Sequence, residues 1–342
     1  MLQCHFAIIG TGFIANIIAK ALSIADNANL MAVSSRTLEK AQQFADQFSN
    51  VTPVVGLTPI LCNETIDVLY IATPTTAKEA IALKGIQAGK HILIDKPLLN
   101  AASLQKMLKE ADKYQVMIMD ATHFVHHPRT LHINEHLDQL VGKPQSLYTS
   151  CYFPNTDKNN IRFNHQLEPT GTLGDLTWYS MRAITQYLKP QGKMAQLCVH
   201  TERDKATNTI IRLSGFMSFT SGETSSFDTG FTCRSGAMDF HLIGLDGSLS
   251  MDDFAFDWRN SFPFQSQTDT RYIHKATFTT PEHSNIQINN ADKPAQTLMI
   301  ERFSTLIQTH NMTDMKKYQH DALTTQSYLD AIWEKVIYTQ TT

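Results

Sequence analysis

The chain has 342 residues, 42% of them apolar and 18% charged, with a net charge of -3. That balance excludes a disordered or fibrous chain, and the length provides for two domains with a core each. With no basic field for a phosphate backbone, the expected partner is a small molecule and not nucleic acid.

Five cysteines (Cys4, Cys62, Cys151, Cys198 and Cys233) are scattered without a C-x-x-C pair. Neither a disulfide framework nor a zinc knuckle is indicated, and reduced, buried thiols of a cytoplasmic protein are the expectation. The start, MLQCHFAIIG, lacks the basic region of a signal peptide. No stretch approaches the roughly 20 apolar residues of a membrane span.

In chain order, an apolar run from Cys4 to Ile9 leads into GTGFIA (Gly10, Thr11, Gly12, Phe13, Ile14, Ala15) and then NIIAKALSIA at helical spacing. This predicts strand, glycine turn and helix. Gly10 permits the turn, Gly12 admits a pyrophosphate, and Ala15 allows close packing of helix on strand. The helix N-terminus directs free N–H groups at the phosphates. The next strand, NLMAVSSR, ends in Ser34, Ser35 and Arg36, where NAD enzymes place an acid against the ribose. A missing carboxylate and a nearby arginine favour the 2'-phosphate of NADP, with NAD the alternative.

After a helix in TLEKAQQFADQF, strands IDVLYIAT, KHILID and VMIMD alternate with helices PTTAKEAIALKGIQAG and NAASLQKMLKEADKYQ. Such alternation predicts a parallel, doubly wound sheet with its ligand beyond the strands' carboxyl ends. Thr73 and Pro74 in ATPTT, and Lys96 and Pro97 in DKP, therefore belong to the cofactor cleft. The boundary falls near residue 122, giving a Rossmann domain over 1–122 and an α+β domain over 123–342.

Histidines crowd the start of the second half (His123, His126, His127, His132, His136). His132 and His136 have the i, i+4 spacing of a metal pair, but no H-E-x-x-H accompanies them, so surface or packing roles are expected. His123 and His126 are candidates for a substrate pocket. GTLGDLTWYSMRAI, residues 171–184, reads as one helix packed through Leu173, Leu176, Tyr179 and Ala183, with Asp175 and Tyr179 on one face. Five strand-like segments between QSLYTSCYF and MDFHLIGL predict an antiparallel sheet with one wetter face. Asp246-Gly247 marks a turn, and Leu329, Ile332, Trp333 and Val336 mark a packed C-terminal helix.

With GTGFIA, ATPTT, HILIDKP and GDLTWY in order along it, the chain resembles the Gfo/Idh/MocA family of glucose-fructose oxidoreductase and inositol dehydrogenase, over nearly its full length. VMIMDATHFVHHPRT, NNIRF and GTLGDLTWYSMRAI look most like the dihydrodiol dehydrogenase and plant-type branch. The resemblance implies an NADP-dependent oxidoreductase for a small polyol, sugar or dihydrodiol. It also implies a homodimer formed through an open-faced sheet in the second domain.

The family's Glu-Lys-Pro motif maps onto Asp95, Lys96 and Pro97, and its Asp-x-x-x-Tyr pair onto Asp175 and Tyr179. Three positions depart from the family: Lys78 for a histidine, Thr177 for a glycine, and His123 for an aromatic residue. On this reading Tyr179 is the acid/base, Lys96 brings its phenol from about 10 towards working pH, and Asp175 fixes the geometry. His123 borders the substrate, Arg162 in NNIRF either borders it or is a structural ion-pair partner, and no metal is required. The alternatives are a sensor that holds NADP(H) without turnover and an NAD-dependent sugar or inositol dehydrogenase.

Overall fold

The computed structural model describes residues 3–257, 259, 266–276 and 284–338. Strands β1 (Cys4–Ile9), β2 (Ala28–Ser35), β3 (Thr52–Val55), β4 (Val68–Ile71), β5 (His91–Ile94) and β6 (Ile118–Asp120) form one parallel sheet. Its order is β3-β2-β1-β4-β5-β6, so the winding direction reverses between β1 and β4. Every residue of β4 is buried, as both faces of a doubly wound sheet require. Helices Phe13–Leu22, Leu38–Ala45, Thr75–Gln87 and Ala101–Tyr114 occupy the expected segments. Thr37 and Asn100 cap two of them by accepting the backbone N–H groups of Lys40 and Ser103.

The second sheet has eight strands: β7 (Pro144–Tyr152), β8 (Met194–Arg203), β9 (Ile210–Phe219), β10 (Thr224–Gly230), β11 (Phe240–Gly244), β12 (Ser248–Met251), β13 (Arg271–Lys275) and β14 (Asn285–Ile288). Its order is β14-β13-β12-β11-β7-β10-β9-β8, antiparallel throughout except that β7 and β10 run parallel. Period-2 alternation divides its faces. Leu147, Thr149, Cys151, Leu213, Phe227 and Thr229 are buried, whereas Tyr148, Phe216 and Ile243 are exposed. The Asp246-Gly247 turn closes the β11–β12 hairpin, with the Gly244 N–H donating to the Gly247 carbonyl. Strands β12 to β14 were not foreseen, because short segments with mixed exposure carry little periodic signal.

The chain divides into two compact units, one of residues 1–126 with 293–323 and one of residues 127–292 with 324–342. The units thus follow no single cut in the sequence. In the first unit, helix Ala295–Gln308 buries Met299, Ile300, Phe303 and Leu306, and Thr297 donates to the Ala21 carbonyl. In the final helix, Met312–Tyr338, Leu329, Ile332 and Val336 are buried. No helix among the described residues is long and apolar enough to cross a membrane. The cysteines are free as expected but not uniformly buried: Cys62 and Cys198 are exposed, because both lie on positions that face solvent.

His91 at the start of β5 accepts the Met117 N–H through Nδ1 at 2.9 Å, and burial pushes its pKa down to about 4. Between pH 6.5 and about 4 the unfolded chain binds a proton at His91 that the folded one does not, so stability falls progressively as pH drops across that window. Urea melts at pH 7 and pH 4.5 should therefore show a stability loss that His91→Asn reduces, by up to about 3 kcal/mol.

Candidate functional site

Gly10 follows β1 at φ +114, where side chains are strained, and a Cβ there would lie 2.8 Å from the Ala72 carbonyl oxygen. The loops after β1 and β4 therefore meet at the point where the winding reverses. Gly12 differs: its φ of -82 suits any residue, and a Cβ would meet nothing within 4 Å. No packing within the protein demands that second glycine. It precedes helix Phe13–Leu22, whose first turn carries neither a side-chain cap nor an acid. Open space over a bare backbone at a helix N-terminus fits a phosphate group. Thr11 and Ile14 are half-buried, Phe13 is exposed, and Ala15 is fully buried against the sheet.

At the end of β2 the three candidates separate. Ser34 is buried, and its hydroxyl donates to the Gly56 carbonyl at 2.6 Å, which makes it a structural tie to the end of β3. Ser35 is half-buried, while Arg36 is exposed and has no hydrogen-bond or ion-pair partner among the described residues. A cation held at a strand end without an internal partner is suited to an external anion.

In the loop after β4, the Thr73 hydroxyl oxygen is buried and has no partner among the described residues. Such an orphan is normally satisfied by a ligand or water. Pro74 opens helix Thr75–Gln87. Lys78, one turn further on, is buried and donates to the Pro97 carbonyl at 2.8 Å. That bond ties the helix to the DKP segment, where Lys96 is half-buried and the Lys96-Pro97 peptide is cis. Asp95 accepts from the Tyr70 hydroxyl at 3.5 Å. Lys78, a departure in sequence, is thus a support for the segment that carries Lys96.

In the second unit the expected single helix over 171–184 is broken. Helix Thr172–Asp175 ends, Leu176 takes φ -102, and a second helix runs from Thr177 to Ala183 before a π-helical turn at Ile184–Leu188. Tyr179 is buried, its ring 5.8 Å from that of Phe256. Asp175 and Arg162 are paired with each other, which is the ion-pair reading of Arg162 that the sequence offered beside a substrate contact. The Arg162 Nε donates to Asp175 Oδ2, and Nη2 lies 3.4 Å from Oδ1. This fork ties the Asp175 carboxyl to Arg162 and leaves the guanidinium about one-third exposed. Asn160 accepts the Arg162 backbone N–H at 3.1 Å, so the NNIR turn presents the arginine.

The histidines have distinct roles. His127 Nδ1 accepts the Arg129 N–H, which leaves Nε2 to donate to Asp257 at 3.0 Å. His127 is therefore a neutral helix cap. Burial pushes the Asp257 carboxyl up, but its bonds from His127 and Thr270 outweigh this and hold it below the usual range. Arg129 pairs with Asp253, whose carboxyl burial raises against the opposing pull of that arginine. His123 and His126 are buried in the first unit, and the His126 ring stacks on Tyr318 at 5.1 Å. His132 and His136 lie with ring centroids 4.4 Å apart. Sequence reasoning missed the roles of Lys78, Asp257, Phe256 and Thr229, because their partners are remote in sequence.

Residues 4–122 match the family model described as "Oxidoreductase family, NAD-binding Rossmann fold". A dTDP-3,4-didehydro-2,6-dideoxy-alpha-D-glucose 3-reductase of Actinomadura kijaniata is 24% identical over 223 residues, 65% of this chain and 66% of that enzyme. The trans-1,2-dihydrobenzene-1,2-diol dehydrogenase of Xenopus laevis is 34% identical over 120 residues, 34% of this chain and 36% of that enzyme. In fold, the chain is similar to a 3-ketoreductase from Actinomadura kijaniata solved in complex with NADP and TDP-benzene. That likeness has a TM-score of 0.84 at 19% identity, over 96% of each chain.

The two glycines should respond oppositely to alanine. Gly12→Ala is expected to stay within about 1 kcal/mol of native stability while weakening dinucleotide binding. Gly10→Ala should melt several degrees lower, because a positive φ and a backbone clash oppose it. Calorimetry without ligand and a nucleotide fluorescence titration separate the two effects.

Proposed function

Because its nucleotide-binding half belongs to the Gfo/Idh/MocA oxidoreductase family, we propose that the chain is an NADP-dependent oxidoreductase of a carbinol or carbonyl in a small polyol, sugar or dihydrodiol-like substrate. The observation that carries this reading is the open backbone at Gly12, where a Cβ would meet nothing within 4 Å and the protein's own packing gives no reason for a glycine. Gly10 to Ala15 and the first turn of helix Phe13–Leu22 hold the pyrophosphate, with Thr73 and Pro74 on the nicotinamide side. Ser35 and Arg36 take the 2'-phosphate. The absence of an acid at the end of β2 removes the repulsion that would select NAD.

The bound nicotinamide supplies or accepts the hydride. The chain must then move one proton at the substrate oxygen, and Tyr179 does so. Its phenolate oxygen receives the carbinol proton on oxidation, and the resulting phenol returns it on reduction. Lys96 donates hydrogen bonds to the carbinol oxygen or to the nicotinamide ribose. Asp175, bonded to Arg162, accepts from a substrate hydroxyl, and the exposed edge of Arg162 takes polar substrate groups. His123 borders the substrate. The family resemblance supports these assignments for Lys96, His123, Asp175 and Tyr179.

We also propose a homodimer formed through the outer face of the eight-stranded sheet. That face exposes Tyr148, Phe216 and Ile243 among small hydroxyl residues, and carries a Tyr152–Asp228–Arg212 hydrogen-bonded group. Burial pushes the Tyr152 phenol up to about 12, and its bond to Asp228 adds to this, so it stays protonated. Light scattering of Tyr148→Lys should show a shift from dimer to monomer.

Screening dihydrodiols, aldoses and 1,2-dicarbonyls with NADP(H) should find a turnover that Tyr179→Phe lowers about 100-fold. If Lys96 and Tyr179 serve one bound substrate, the double variant Lys96→Met with Tyr179→Phe should fall well short of the product of the single losses. Full activity in Tyr179→Phe would remove it from the mechanism. Arg36→Ala should weaken NADPH binding about 10–100-fold, the scale of a lost charged hydrogen bond, and leave NADH binding nearly unchanged.

A further inference from the structure

Thr177 begins the helix that carries Tyr179 and is fully buried. Leu173, Trp178 and Phe227 are buried on the same elements, as are the polar Thr172, Ser180 and Ser225. Into this setting the fold places two hydroxyls. Thr177 Oγ1 lies 2.7 Å from Thr229 Oγ1 on β10 and 3.3 Å from the Thr172 carbonyl. Thr229 Oγ1 lies 3.3 Å from the Leu213 carbonyl on β9.

Two protons serve this group, and they can be arranged in two ways. Either Thr177 donates to Thr229, which donates to Leu213, or Thr229 donates to Thr177, which donates to Thr172. In both arrangements the first residue of the Tyr179 helix is bonded to the sheet at one fixed point. Two apolar side chains of the same shape would fill the space at no cost in unpaired polar groups. A hydroxyl pair adds direction instead, since it holds one register and one rotation of the helix.

We propose that the Thr177–Thr229 hydroxyl pair is a positioning device: it fixes the helix start just after the break at Leu176 and so aims the Tyr179 phenol relative to the Asp175–Arg162 pair. Thr177 touches no substrate and acts through Tyr179. The proposal rests on the reading of Tyr179 as the acid/base.

The test uses the full chain labelled with 13Cζ-tyrosine, the Tyr179 resonance being identified by its loss in Tyr179→Phe. Thr177→Val keeps the shape and removes the hydroxyl, and Thr177→Ser keeps the hydroxyl. The valine variant should shift or broaden the Tyr179 resonance and lower kcat about tenfold with KM within about twofold, the scale of a small misplacement of a reacting group. The serine variant should restore both, and Thr229→Val should reproduce the valine result and replaces it if Thr177→Val does not fold. An unchanged Tyr179 resonance in the valine variants overturns the proposal, as does a loss that serine fails to restore. Full activity in Tyr179→Phe would instead overturn the acid/base reading, while the resonance still decides whether the pair orients the ring.

Discussion

The near-contact of Gly10 with the Ala72 carbonyl is the constraint on which the nucleotide half depends. At the junction of β1 and β4 the sheet reverses its winding, and the two following loops run outward side by side. A single Cβ at position 10 would hold them apart. With hydrogen in its place, the first helix begins immediately after Gly12, and Thr73 sits in the loop that Gly10 abuts. An opening suited to phosphate and an orphan hydroxyl follow from that one close approach.

The ionic groups of the second unit show a different economy. Arg162 with Asp175, Arg129 with Asp253, and His127 with Asp257 each join charged or titratable partners in close contact. Pairing prevents the large desolvation cost of an isolated charge. The pairs differ in exposure. Arg129–Asp253 and His127–Asp257 are both buried and tie helix Pro128–Glu135 to the segments around residues 253 and 257. In Arg162–Asp175 the arginine keeps an exposed edge.

The three departures from the family pattern acquire physical meanings from their surroundings. Lys78 donates to the Pro97 carbonyl and supports the Lys96 segment from the neighbouring helix. Thr177 turns its side chain into the sheet and not towards solvent, so it does not line an open surface. His123 is buried in the first unit. Two of the three therefore have structural partners, Lys78 beside the segment that bears Lys96 and Thr177 in the helix that bears Tyr179.

Local pattern was sufficient for much of this. Apolar runs, glycine spacing and alternation identified β1, β2, β4, β5 and β6, the four helices between them, and the strands from β7 to β11, because periodicity and turn chemistry act over a few neighbouring residues. The same local signals singled out Gly10, Gly12, Arg36 and Lys96. Tertiary structure decided the rest. It broke the helix at Leu176, joined Arg162 to Asp175 and Thr177 to Thr229, and returned residues 293–323 to the first unit. Each of these depends on partners brought together by packing from distant parts of the chain, and a linear pattern does not record which partner a buried polar group will find.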